Sequence, residues 1–176
     1  MNKYWHSIWF WLAATNAVYL LMLFYTLPEL SRFSDGLTLP DMLAGGYGSE
    51  YLQTYADRLG AEGRRFFLYR QMAADMVYPA LFGYTYSRLT GLLSAGVRLP
   101  AMLSKRLPLL PVAAAVSDYL ENFCVIAAVS AHPETPQLAA AAAPFFTVAK
   151  SAAGMLTFTV LAVLLVRRLA GRMRKL

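Results

Sequence analysis

One cysteine, Cys124, occurs in 176 residues. The chain therefore has no internal disulfide and no Cys-x-x-Cys redox pair, which disfavours four-helix thiol–quinone oxidoreductases. Histidine is nearly as scarce. His6 and His132 stand at opposite ends of apolar segments, about 30 Å apart across a bilayer, too far to share one haem or one zinc ion. No His-Glu-x-x-His motif, G-x-S-x-G elbow or Walker loop occurs, which removes the usual zinc-hydrolase, serine-hydrolase and phosphate-loop readings. Glu-x-x-His pairs, the mark of di-metal carboxylate bundles, are missing too. These gaps leave no cofactor and no catalytic group to assign.

Charge is the next shortage. Charged residues make up 15% and hydrophobic residues 58% of the chain, against roughly 25% and 45–50% in a soluble domain. The apolar excess falls in four blocks, near 5–27, 65–89, 109–131 and 144–166. Each is long enough to cross a bilayer as a helix. The sequence thus predicts an all-α, polytopic four-helix membrane bundle in one domain, 1–176. The first block is too long for a cleavable leader, whose apolar stretch is about 7–15 residues, so it reads as a retained helix. Trp5, Trp9 and Trp11 suit one interface and Tyr25 the other.

Each connection lacks something as well. Residues 90–107 contain no acid, and residues 132–143 contain no Lys or Arg. The formal charge of +6 gathers beside the apolar blocks: Lys3, then Arg98, Lys105 and Arg106, then Arg167, Arg168, Arg172, Arg174 and Lys175. Such placement is a topology signal and a contact to anionic membrane lipid, not a nucleic-acid footprint. Both termini and 90–107 are expected in the cytoplasm. The 28–64 loop, in which six acids offset the basic residues, then faces outward with the 132–143 turn. Within that loop, Pro40 suits the start of a short helical turn. Ser49 to Leu59 reads as an amphipathic helix, with Ser49 as N-cap, Tyr51, Leu52, Tyr55 and Leu59 on one face, and Gly60 as its stop. It either lies on the membrane surface or caps the bundle.

Against this apolar background the polar residues inside the spans stand out. Asp118, Glu121 and Asn122 share one helix face at i, i+3 and i+4. An acid at mid-span costs about 2.5–3.5 kcal/mol on insertion scales, so partners are expected. Counted from the outer ends of their spans, Asp75 lies roughly 14 Å deep, Glu121 about 15 Å, Asn16 about 16 Å and Asp118 about 20 Å. Lys150 lies about 9 Å deep on a flexible stem. Every span thus adds a polar group to one layer. Pro79 removes the hydrogen bond to the Asp75 carbonyl, which predicts a kink and a freed carbonyl beside a carboxylate. Three acids facing one lysine leave a negative excess that a proton or a cation offsets. Asp75, Asp118 and Glu121 would suit one hard cation, but Lys150 competes for the same charge, and no metal is assigned.

Asp75-x-x-x-Pro79, Asp118-x-x-Glu121-Asn122 and Thr147-x-x-Lys150, with the preceding Leu59-Gly60-Ala61-Glu62-Gly63-Arg64-Arg65, resemble a group of bacterial four-helix inner-membrane proteins with no established activity. The resemblance covers residues 57–155. It implies a fold and an inner-membrane location and nothing chemical. Where a Phe often precedes the proline in that group, this chain has Tyr78, which adds a hydroxyl to the site.

The candidate ligand-binding set is therefore Asp75, Tyr78, Asp118, Glu121, Asn122, Lys150 and Asn16. One reading is a self-satisfied network that glues the helices together. A second is a site that binds, or acts on, an amphiphilic small molecule or lipid. A third is a proton-coupled or small-solute transporter working as a homo-oligomer, although the halves show little inverted repeat. A scaffold whose outer cap meets partners is the fourth.

Overall fold

A computed structural model describes residues 3–173. The expectations placed on Arg174 and Lys175 lie outside the described residues, as do those on the side chains of Lys3, Trp5, His6 and Arg172. All regular structure among the described residues is helical. The elements are α1 (Lys3–Leu21), a π-turn (Met22–Thr26), α2 (Leu27–Phe33), a 3-10 turn (Pro40–Met42), α3 (Ser49–Phe66), a second π-turn (Phe67–Gln71), α4 (Met72–Asp75), α5 (Tyr78–Ser94), α6 (Ala101–Arg106), α7 (Leu109–Ser130) and α8 (Gln137–Met173). Three stretches are long and apolar enough to cross a membrane: Ser7–Phe33, Ala101–Ser130 and Gln137–Gly171. Large apolar side chains such as Phe24, Leu138 and Phe145 lie exposed along them.

All three stretches are longer than the sequence suggests, the second because α6, in the expected 90–107 connector, leads into α7. The first helical run continues past Pro28 to Phe33. In the π-turn the Leu27 N–H reaches back five residues to the Met22 carbonyl, and Pro28 then sits in the first turn of α2, where a missing N–H is tolerated. α8 starts at Gln137, seven residues before Pro144, because the alanine run 139–143 is a strong helix former. The helix at 65–89 is interrupted. α4 ends at Asp75, the chain turns at Met76 and Val77, and α5 opens with Pro79 in its first turn.

α7 and α8 form the longest packed pair, α5 packs on both, and α1 packs on α5. α1 is fastened to α5 by the Thr15 and Thr85 hydroxyls, 2.9 Å apart, and by Trp11 edge-on to Tyr84. α1 and α8 make no extensive contact with each other. α3 lies across one end of the bundle, hereafter the cap end. Leu52, Tyr55 and Leu59 are at most 2% exposed and join a core with Leu30, Phe67, Val125 and Ala143. Each such side chain gains about 1.5–3 kcal/mol over exposure to water, so α3 is docked as a cap and does not float on a surface. Gln53 donates to the Pro133 carbonyl at 2.8 Å, and His132 Nε2 meets Asp57 at 2.8 Å. The long loop and the α7–α8 turn therefore share the cap end. At the other, basic end, Arg168 donates to the Leu92 carbonyl at 2.6 Å.

The N-cap of α3 is Gly48, extended at φ −72° and ψ 155°, and Ser49 is the first helical residue, so the helix begins one place earlier than expected. The stop at Gly60 is a sharp bend at φ 61° and ψ −178°. That conformation is essentially restricted to glycine. It turns the chain so that Gly63 passes Phe33, where a Cβ would lie 2.8 Å from the Phe33 Cβ. Nothing lies within 4 Å of a Cβ built at Gly60, so the cost of a side chain there is backbone strain alone. Gly60→Ala should destabilise the protein by about 1–3 kcal/mol. Gly48→Ala, at an equally open position with an ordinary φ, should not. Thermal unfolding in detergent compares the two, and equal midpoints would refute the strained bend.

Candidate functional site

The Lys150 ammonium is the centre of the polar layer. Its Nζ lies 2.7 Å from Glu121 Oε2 and 3.1 Å from Asp118 Oδ1. It also pairs with Asp41 Oδ1. Glu121 is fully buried, and its other oxygen accepts from the Thr147 hydroxyl at 2.6 Å. Asp118 and Glu121 reach the lysine together because they lie one turn apart on α7. Thr147 and Lys150, one turn apart on α8, both reach Glu121. Asp41 arrives from outside the spans, on the 3-10 turn that Pro40 opens.

Asp41 is the residue that sequence reasoning missed. The expected third carboxylate, Asp75, is buried nearby but does not touch the lysine. Its Oδ2 accepts from Gln71 Nε2 at 3.3 Å. Gln71 is itself oriented by Thr26, whose hydroxyl donates to Gln71 Oε1. Both residues stand on π-turns, one on each side of the contact. π-turns recur at functional sites because they re-aim side chains without ending the helix. The carboxylate set that could hold a hard cation is therefore Asp41, Asp118 and Glu121, whose oxygens lie within 4.8 Å of one another. The ammonium of Lys150 meets all three.

The break before Pro79 is tied to the same turn of α7. Asn122 Nδ2 donates to the Asp75 carbonyl at 3.1 Å, and the Tyr119 hydroxyl donates to the Met76 carbonyl at 2.8 Å. The carbonyl that proline leaves without a helical donor is thus met by the buried carboxamide expected near it. Tyr78 points its ring at Tyr19 and Phe82, with centroids 5.8 and 5.9 Å away. Asn16 stands apart from this group. It is exposed and donates to the Leu12 carbonyl at 2.7 Å. Its neighbour Thr15 is the buried residue at that depth.

A cavity of about 200 Å³ opens beside the cluster. Asp41, Asp75, Asp118 and Lys150 form its polar wall. Tyr19, Tyr78, Phe82 and Phe158 form an aromatic one, with Met22, Leu27 and Met42 at the rim. Ala114 and Gly154 leave the space that larger side chains would fill. Comparison of the chain with protein-family models, with curated proteins and with solved structures finds no match. The site's own geometry is thus the basis for a functional reading.

Removing the lysine strands three carboxylates, two of them well inside the bundle. Breaking a buried ion pair by deleting one member costs about 3–5 kcal/mol, and Lys150→Met should lose stability of that order. Adding Glu121→Gln should recover part of the loss, because the most buried of the three charges goes with it. Asp41 and Asp118 limit the recovery. Unfolding midpoints of the single and double variants measure both effects. An unchanged midpoint for Lys150→Met would mean that the ion pairs do not form.

Proposed function

We propose that the chain is a four-span protein of the bacterial inner membrane, with both termini cytoplasmic, that binds an amphiphilic small molecule or lipid between its helices. The observation that carries this reading is the cavity, which joins a buried charged cluster to an aromatic and aliphatic wall. Its volume of about 200 Å³ is below the roughly 300–1,000 Å³ of sites that enclose a drug-sized molecule. It suits a polar head and the first part of a tail. The slot between α1 and α8, which make no extensive contact, gives the rest of the tail a way out to lipid. Tyr19 and Phe158, both on the cavity wall, are exposed along it.

The same geometry disfavours a conducting path. Toward the basic end, Phe158 packs edge-on to Phe82 and Tyr86, which tilt against each other, with centroids 4.7–5.9 Å apart. Leu93, Leu161 and Leu164 are buried beyond them. The polar layer ends there, so the pocket is blind on that side. The fourth span is the broken helix of α4 and α5, which α1, α7 and α8 enclose. Its break and the Asp75 carboxylate are acceptable at membrane depth because they face protein or cavity and not lipid. The resemblance to the four-helix bacterial group agrees with this arrangement.

Gly154 offers a clean test of the cavity, since a Cβ there meets nothing within 4 Å. Gly154→Leu should put side-chain bulk into the cavity, and its Cβ enters without a clash. A native mass spectrum of the wild-type protein released from membranes should carry an added amphiphile, and the variant's should not. Equal retention at an unchanged unfolding midpoint would move the binding site elsewhere. Topology is tested separately. Reporters fused at residue 45 and at the C-terminus should report opposite sides of the membrane, and the same side for both would end the four-span reading.

A further inference from the structure

Resting on that reading, we infer that the head group bound in the cavity is a cationic amine, so that the ligand is an amphiphile with an organic ammonium head and an apolar tail. The first ground is charge pairing. The Lys150 ammonium is within ion-pair distance of the carboxylates of Asp41, Asp118 and Glu121 and donates a hydrogen bond to Asp118. The one cation on the cavity wall is thus outnumbered three to one by its own partners, which leaves an anionic head little to gain there.

The second ground is the charge that remains. Three carboxylates, those of Asp41, Asp118 and Glu121, pair with this one ammonium, and Asp75 stands beside them on the cavity wall, a formal excess of three negative charges. Asp75 has the strongest claim to a ligand. It lines the cavity and is 3% exposed. Gln71 occupies one of its oxygens, and the other has no hydrogen bond among the described residues. That oxygen belongs to a residue on the cavity wall, where the N–H of a bound ammonium can reach it.

The third ground is the facing wall. Tyr19, Tyr78, Phe82 and Phe158 follow one another with centroids 5.8–5.9 Å apart. Aromatic faces within about 6 Å of a cation attract it through the ring quadrupole. Carboxylates on one side and rings on the other are the two surfaces an ammonium group prefers. A phosphate or carboxylate head would face the negative excess.

The test uses the full chain in lipid nanodiscs and three probes with one tail: dodecylamine, dodecanol and dodecanoate. Binding is read by competition with the retained amphiphile or by the shift in unfolding midpoint. Dodecylamine should bind about tenfold or more tightly than dodecanol, as expected for one charge-assisted hydrogen bond. Asp75→Asn keeps the shape and an acceptor for Gln71. It should erase that preference, so that dodecylamine and dodecanol bind the variant alike. Gly154→Leu should abolish binding of every probe. If all three probes bind equally and Gly154→Leu blocks them, the amphiphile site stands and the cationic head is overturned. If dodecanoate binds best, and Lys150→Met removes that preference, the lysine is the anchor and the inference is equally overturned. If no probe binds, the cavity reading falls with it.

Discussion

The ion cluster at Lys150 is the interaction on which the rest of the structure depends. It joins three separate parts of the chain: the cap turn through Asp41, α7 through Asp118 and Glu121, and α8 through its own backbone. Buried charges are costly unless paired. Each part is therefore stable only when the other two are present, and the cap turn is drawn down onto the bundle by a charge it does not carry. The apolar face of α3 then adds Leu52, Tyr55 and Leu59 to the core beneath it. Electrostatics chooses where the cap docks, and apolar burial holds it there.

One turn of α7 does two jobs. Asp118 and Glu121 face the lysine, while Tyr119 and Asn122 reach the carbonyls at the end of α4. Without those donors the break before Pro79 would expose unsatisfied backbone inside the bundle. The carboxylate of Asp75 can stand beside the cavity only because its own carbonyl is tied back to α7. The polar site and the helix break are thus one construction, with α7 as the common support.

Much of this was legible in the sequence, and the rest was hidden for identifiable reasons. Rise per residue fixes depth, so Glu121, Asp118 and Lys150 could be put in one layer. Depth says nothing about which way a residue faces, because one position along a helix rotates the side chain by about 100°. Asn16 was at the right height but is exposed, and Thr15, one residue earlier, is the buried group. Asp41 was hidden because it lies in a loop, and a loop's reach depends on where the cap docks. Gln71 and Thr26 were hidden by the π-turns. A five-residue backbone step leaves little trace in apolar periodicity, yet it decides which residue meets Asp75. Helix lengths were missed at prolines, since Pro28 and Pro144 were read as boundaries. Pro28 instead follows a π-turn that had already released its hydrogen bond.

The cavity follows from these same irregularities. Straight helices with large side chains would close against one another. Here α1 is held to α5 by Thr15 and Trp11, and α8 is held to α7 along most of its length. Neither is free to swing toward the other. The two π-turns and the break at Met76 and Val77 bend the cap half of the intervening wall, and Ala114 and Gly154 supply no bulk to fill it. Asp41 and Met42 cover the top, and the aromatic stack seals the bottom. A purely structural ion network would need only the lysine and its carboxylates. It gives no reason for a rigid frame that keeps α1 and α8 apart, or for four rings facing the charged wall. A site for a molecule with a polar end and an apolar end accounts for both.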